Sequence, residues 1–228
     1  MTDAHASRHD IYGPIHKAIR IALGDLIARI GRADFSDDAV MADTLAALRA
    51  QLRFSAMHLR HEEEYLHPAL LARSPEAVDV LERDHAWHRA GFDRLERAMI
   101  EVETTPAALR GPPARDLYLA FSAFVAEDLA HMAHEEQVVN PLLQELFTDA
   151  ELQAIEAAIV ASLAPEDAMG ALAMMIAAIN PDERVAFLGF IRATAPAEAF
   201  AAVIEVAAKP GLAANDWADL AEKLGLAA

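Results

Sequence analysis

Leu and Ala recur along this chain at heptad-like spacing, the apolar stripe of helices packed side by side. Leu23, Leu26 and Ile30 in the first such stretch are matched by Phe92, Leu95 and Met99 in a later one. Punctuating residues divide the pattern. A first helix is predicted from about Tyr12 to Arg32, and Ser36-Asp37-Asp38 offers caps for a second ending near Ala72. Ser74-Pro75-Glu76 opens a third, with serine as cap and proline at the first helical position, reaching about Val102. A loop holding Gly111-Pro112-Pro113 leads to a fourth, roughly Ala114 to Phe147.

Thr148-Asp149-Ala150-Glu151 reads as a capping box, and the composition changes there. From Glu151 onward there is no histidine and alanine rises steeply, with helix starts at Pro165, Asn180-Pro181, Ala195-Pro196 and Asn215-Asp216. The expected architecture is therefore all-α. Residues 1–148 form an up-down four-helix bundle, and 149–228 form an Ala-rich helical domain or extension.

The bundle expectation rests on an internal repeat. His58, His61, Glu62, Glu63 and Pro68 return 73 residues later as His131, His134, Glu135, Glu136 and Pro141. Upstream, the segment from His16 to Leu26 aligns with that from His85 to Leu95 at an offset of 69. The unit is a helix pair, His on the first helix and His-x-x-x-Glu on the second, written twice. One copy alone would leave its apolar faces bare, so two pack together.

Composition narrows the chemistry. With no cysteine in 228 residues, disulfides, zinc–thiolate sites and iron–sulfur clusters are excluded, so any metal is held by nitrogen and oxygen. A net charge of −17 argues against nucleic acid or an anionic membrane surface as partner. The N-terminus lacks an apolar signal core, and the longest apolar run, Ala171 to Ile179, is too short to span a bilayer. A soluble cytoplasmic protein is the default expectation. Phosphate loops, dinucleotide fingerprints and nucleophile elbows are absent.

A His and a Glu four apart lie one above the other on a helix and can reach one ion. Either pair alone reads as a weak surface contact. Their repetition, with His16 and His85 at matched positions, points instead to a metal centre of His16, His58, Glu62, His85, His131 and Glu135. Neutral imidazole with carboxylate suits iron, manganese or zinc. His61, Tyr65, His88 and His134 are expected around the centre as hydrogen-bond or proton donors; the alternatives are His88 as an extra ligand, and His61 and His134 binding metal in a shifted register or facing the neighbouring helix. Glu63 and Glu136 turn about 100° from the ligand glutamates and should meet solvent or an arginine. A competing Glu-x-x-His register, Glu64 to His67 and Glu82 to His85, lacks its counterpart at Gln137 and Asn140, and His67 directly precedes a proline. His67 is accordingly left out, while His5 and His9 look incidental.

On His16, the two His-x-x-x-Glu-and-Pro blocks and Glu82-Arg83-Asp84-His85, residues from about 10 to 147 resemble the hemerythrin-like (HHE, cation-binding) family. The resemblance implies a four-helix bundle around a non-haem di-iron centre. His16, His58, His85 and His131 would be terminal ligands, with Glu62 and Glu135 bridging. The oxygen carriers of marine invertebrates show His-x-x-x-His on the third helix and His-x-x-x-x-Asp on the fourth. This chain has His85-x-x-His88 and His131-x-x-x-Glu135, like the broader bacterial branch. The expected function is a protein with two irons that binds or senses dioxygen, peroxide or nitric oxide. Peroxide decomposition or ferrous oxidation is the enzymatic alternative. A regulatory alternative has residues 149–228 contacting a protein partner or a second copy.

Overall fold

The computed structural model describes residues 8–226, and His5 lies outside them. All regular structure among the described residues is helical, a helical bundle as the apolar pattern predicts. The chain divides into two compact units. One comprises residues 8–10 and Arg20–Glu156; the other comprises Ile11–Ile19 and residues 157–226. One dividing line falls just before α1 (Gly13–Arg32), one inside it, and one inside α7 (Asp149–Ser162).

The first unit contains the later part of α1, then α2 (Asp38–His61), α3 (His67–Arg73), α4 (Pro75–Thr104), α5 (Gly111–His134) and α6 (Asn140–Leu146). Asp37 caps α2 by accepting from the backbone N–H groups of Ala39 and Val40, as its position suggests. Ser74 does not cap α4. Its hydroxyl donates to Glu76 at 2.9 Å, and Pro75, which has no N–H to satisfy, opens the helix.

Helix α4 packs along α5 and against α2 and α3. Leu45, Leu48, Leu81, Leu95, Met99, Leu117 and Phe121 are all sealed from solvent in this core. Arg49 of α2 forks onto Glu96 (2.9 Å) and Glu103 (2.6 Å) of α4, fixing their register. Arg20 holds Glu136 through two bonds, and Arg29 pairs with Asp43.

In the second unit, α8 (Pro165–Ala178), α9 (Pro181–Thr194), α10 (Ala197–Ala202), α11 (Lys209–Gly211) and α12 (Ala214–Leu224) surround Ile176, Leu188, Ile204, Ala208 and Leu220. Asn180 and Glu183 form a reciprocal capping box at the start of α9. Gly225, at φ 64°, ends α12 in the left-handed region. Leu226 then bonds back to Ala221 and packs against the core, the usual stop where only glycine escapes a Cβ clash. Lys17 of α1 pairs with Glu183 within this unit. No helix among the described residues is long and apolar enough to cross a membrane.

Candidate metal centre

The second and fourth predicted helices are continuous but not uniform. After His61 the helix widens into a single π turn, Glu62–Leu66, and resumes as α3. After His134 the same happens over Glu135–Val139, before α6. In each case the wide turn begins at the repeated glutamate and closes just before the repeated proline. Proline explains it. Pro68 and Pro141 lack an N–H, and in an α-helix their rings would strike the carbonyls of Glu64 and Gln137. The chain bonds one residue further back instead, His67 N–H to the Glu62 carbonyl and Asn140 N–H to the Glu135 carbonyl.

These turns carry Glu62 and Glu135 into the bundle interior, where α4 and α5 bring His85 and His131. All four residues are buried, and each offers a donor atom within 4.8 Å of the others. Glu62 divides its carboxylate: one oxygen lies 3.1 Å from His58 Nε2, the other 3.5 Å from His85 Nε2. Glu135 stands 3.3 Å from His131 Nε2. The rings of His85 and His131 meet edge to face, 5.1 Å apart.

The outer faces of both imidazoles are fixed by carboxylates. His85 Nδ1 lies 3.1 Å from Glu63, which also accepts from Arg89; His131 Nδ1 lies 3.3 Å from Asp84. A proton on Nδ1 leaves the Nε2 lone pair pointing inward, the tautomer a metal needs. Both Nε2 atoms are buried and make no hydrogen bond among the described residues. The donor set thus fits a cation.

Electrostatics agree. Burial holds the Glu62 carboxyl well above its ordinary range, and the charges of Glu135 and Asp128 add to this. Burial pushes His85 down to about 2, helped by the imidazoles of His131, His67 and His88. Burial also opposes charge on His131, but its contacts with Glu135 and Asp84 outweigh that and raise it. A divalent cation between the carboxylates would remove their repulsion and satisfy the lone pairs.

His16 is fully buried on α1, stacked on Tyr12 with ring centroids 5.0 Å apart, and belongs to the second unit. His88 is buried against Asp128, Nε2 to Oδ1 2.9 Å, with Nδ1 on the Asp84 carbonyl at 2.8 Å. Its ring lies 4.8 Å from that of His131. His61 is buried beside Tyr65, and burial lowers its pKa. His134 is half-buried. Glu63 and Glu136 do meet arginines, Arg89 and Arg20, but Glu63 also orients His85. His9 faces Glu156 at 3.1 Å.

Four residues at the centre escape the repeat argument: Glu63 as orienting group, Asp84, Asp128 and His67. Asp84 and Asp128 have no repeated partner to mark them. Only nearness to a ligand histidine, Asp84 next to His85 and Asp128 three residues before His131, could have singled them out. His67 is 3% exposed, its ring 4.7 Å from that of His85. The proline that argued against it on sequence creates the wide turn that brings it inward.

Comparison with known proteins points the same way. The model of the hemerythrin HHE cation binding domain matches residues 10–143. F-box/LRR-repeat protein 5 of Mus musculus is similar at 26% identity over 154 residues, covering 67% of this chain and 21% of that protein. The Bos taurus protein of that name gives the same figures, and the Salmo salar protein is 25% identical over the same length. The chain spans about a fifth of the length of these curated relatives. With the family model covering well over half of the residues, the centre included, the chain belongs to the hemerythrin HHE cation-binding domain family.

Proposed function

We propose that this protein holds two irons without haem and uses them to bind or sense dioxygen or a related small oxidant such as peroxide or nitric oxide. The supporting observation is the convergence of four buried donors from Glu62, His85, His131 and Glu135, with carboxylates orienting both imidazoles. His58 joins through Glu62, and His16 enters the ligand set as the repeat partner of His85. That Glu62 turns one oxygen toward each of two imidazoles supports a ligand role for its carboxylate. Iron bound there would supply redox chemistry and an open coordination position. The chain itself orients the donors, excludes bulk water and keeps the His85 imidazole neutral.

Elemental analysis of the iron-reconstituted chain tests this. About two irons per chain are expected, with near-ultraviolet ferric absorption. His58→Ala and His131→Ala should each lose iron, while His5→Ala should retain it. Equal iron in all three would overturn the ligand assignment, and a single zinc or no metal would overturn the function.

A second reading is enzymatic, peroxide decomposition or ferrous oxidation. The buried His88–Asp128 pair favours it, since an imidazole beside a carboxylate, 4.8 Å from the His131 ring, is the kind of group that handles protons in such turnover. Sustained hydrogen peroxide turnover by the iron-loaded protein, lost in Glu62→Ala, would establish it. Absence of turnover would leave binding or sensing.

A further inference from the structure

His67 and Glu82 have no place in the ligand set, yet they lie on a short line from solvent to that set. The Glu82 side chain is 58% exposed, that of His67 4% and that of His85 0%. Neither nitrogen of the buried His67 makes a hydrogen bond among the described residues. Its Nδ1 stands 3.6 Å from Glu82 Oε1, too far for a good hydrogen bond but suited to two donors flanking a cation. With metal–ligand bonds of about 2.1 Å, that separation corresponds to a ligand angle of about 120°. On its other side His67 tilts against the His85 ring at 4.7 Å.

The wide turn produces this placement. In an unbroken α-helix, five residues carry a side chain about 140° round from Glu62. Through a π turn, at roughly 4.4 residues per turn, the offset falls to about 50°. The arrangement is not imposed by the repeat. Its second copy has Asn140 at the same place, with Nδ2 donating to Asp10 at 3.0 Å.

We propose that Glu82 and His67 form a loading arm for the metal centre: an outer stop where a divalent cation is first caught before passing to His85 and Glu62. This rests on the metal-binding reading above. The arm affects rate, not final occupancy, so removing it should slow uptake and release by the same factor.

Cobalt(II), mixed rapidly with the metal-free 228-residue chain, provides the test through its visible absorption on coordination. Glu82→Gln and His67→Asn, the latter taking the residue of the second repeat, should each slow uptake about tenfold or more. Chelator extraction should slow equally, and final metal content should match the wild type. Glu64→Gln removes a neighbouring exposed carboxylate and should change nothing, which separates the arm from general attraction by an acidic surface. Uptake at the wild-type rate in both arm variants would overturn the proposal. Reduced final content in His67→Asn would also overturn it, by making His67 a resident ligand. Failure of the wild type to take up metal would instead sink the metal-centre reading.

Discussion

At the residue scale, the centre is a set of groups held in protonation states that water would not give them. Glu62 keeps its proton above the usual carboxylate range because it is buried beside Glu135 and Asp128. Relative to a group that never ionises, its contribution is fully present below pH 4.5 and is lost as pH rises through its folded value. Metal-free Glu62→Gln should therefore melt higher than metal-free wild type at pH 7, with the gap closing toward pH 4.5, while taking up less metal. Thermal denaturation across pH checks this; a lower melting point for the variant at pH 7 would contradict it. His85 works in the opposite direction. Its pKa is depressed to about 2, so its contribution is present above 6.5 and fades as pH falls toward the folded value. The metal-free protein is thus pressed from both sides of a mildly acidic optimum.

At the element scale, close approach between helices sets the frame. Gly91 of α4 faces Phe124 of α5 so closely that an added Cβ would come within 2.8 Å of the ring. Gly91→Ala would gain about 1 kcal/mol of helix propensity but force the two helices apart, at a cost of about 1–3 kcal/mol. A net loss of stability in chemical denaturation is expected, and a gain would show that Phe124 yields freely. Much at this scale was legible in advance. Asp37, Pro75, Thr148 and Asn180 mark the helix starts, and apolar spacing gave the bundle. The spacing of Glu62 and Glu135 placed them on matching turns of matching helices. The π turns were not legible, because an apolar pattern of period 3.6 tolerates one wide turn without losing its stripe. Missing them also hid His67. Asp84 and Glu63 were hidden for another reason: their role depends on which nitrogen of a partner imidazole faces outward, and spacing carries no such information.

At the scale of the whole molecule, both units draw on α1. The first two turns of α1, with Tyr12, His16 and Ile19 buried, belong with residues 157–226. Removing 157–228 should therefore take from these residues the rest of their unit and lower the melting temperature. A truncated chain with unchanged stability and metal would instead make the tail a separable module, available to a partner. The same scale shows what the two halves share and what they do not. Both keep the wide turn and its proline, yet only one presents an imidazole beyond it. The backbone at Asn140 is already shaped as it is at His67, bonded back five residues to its glutamate. For a protein engineer, position 140 is a graft point: a histidine installed there would inherit a mould that evolution filled on one side only.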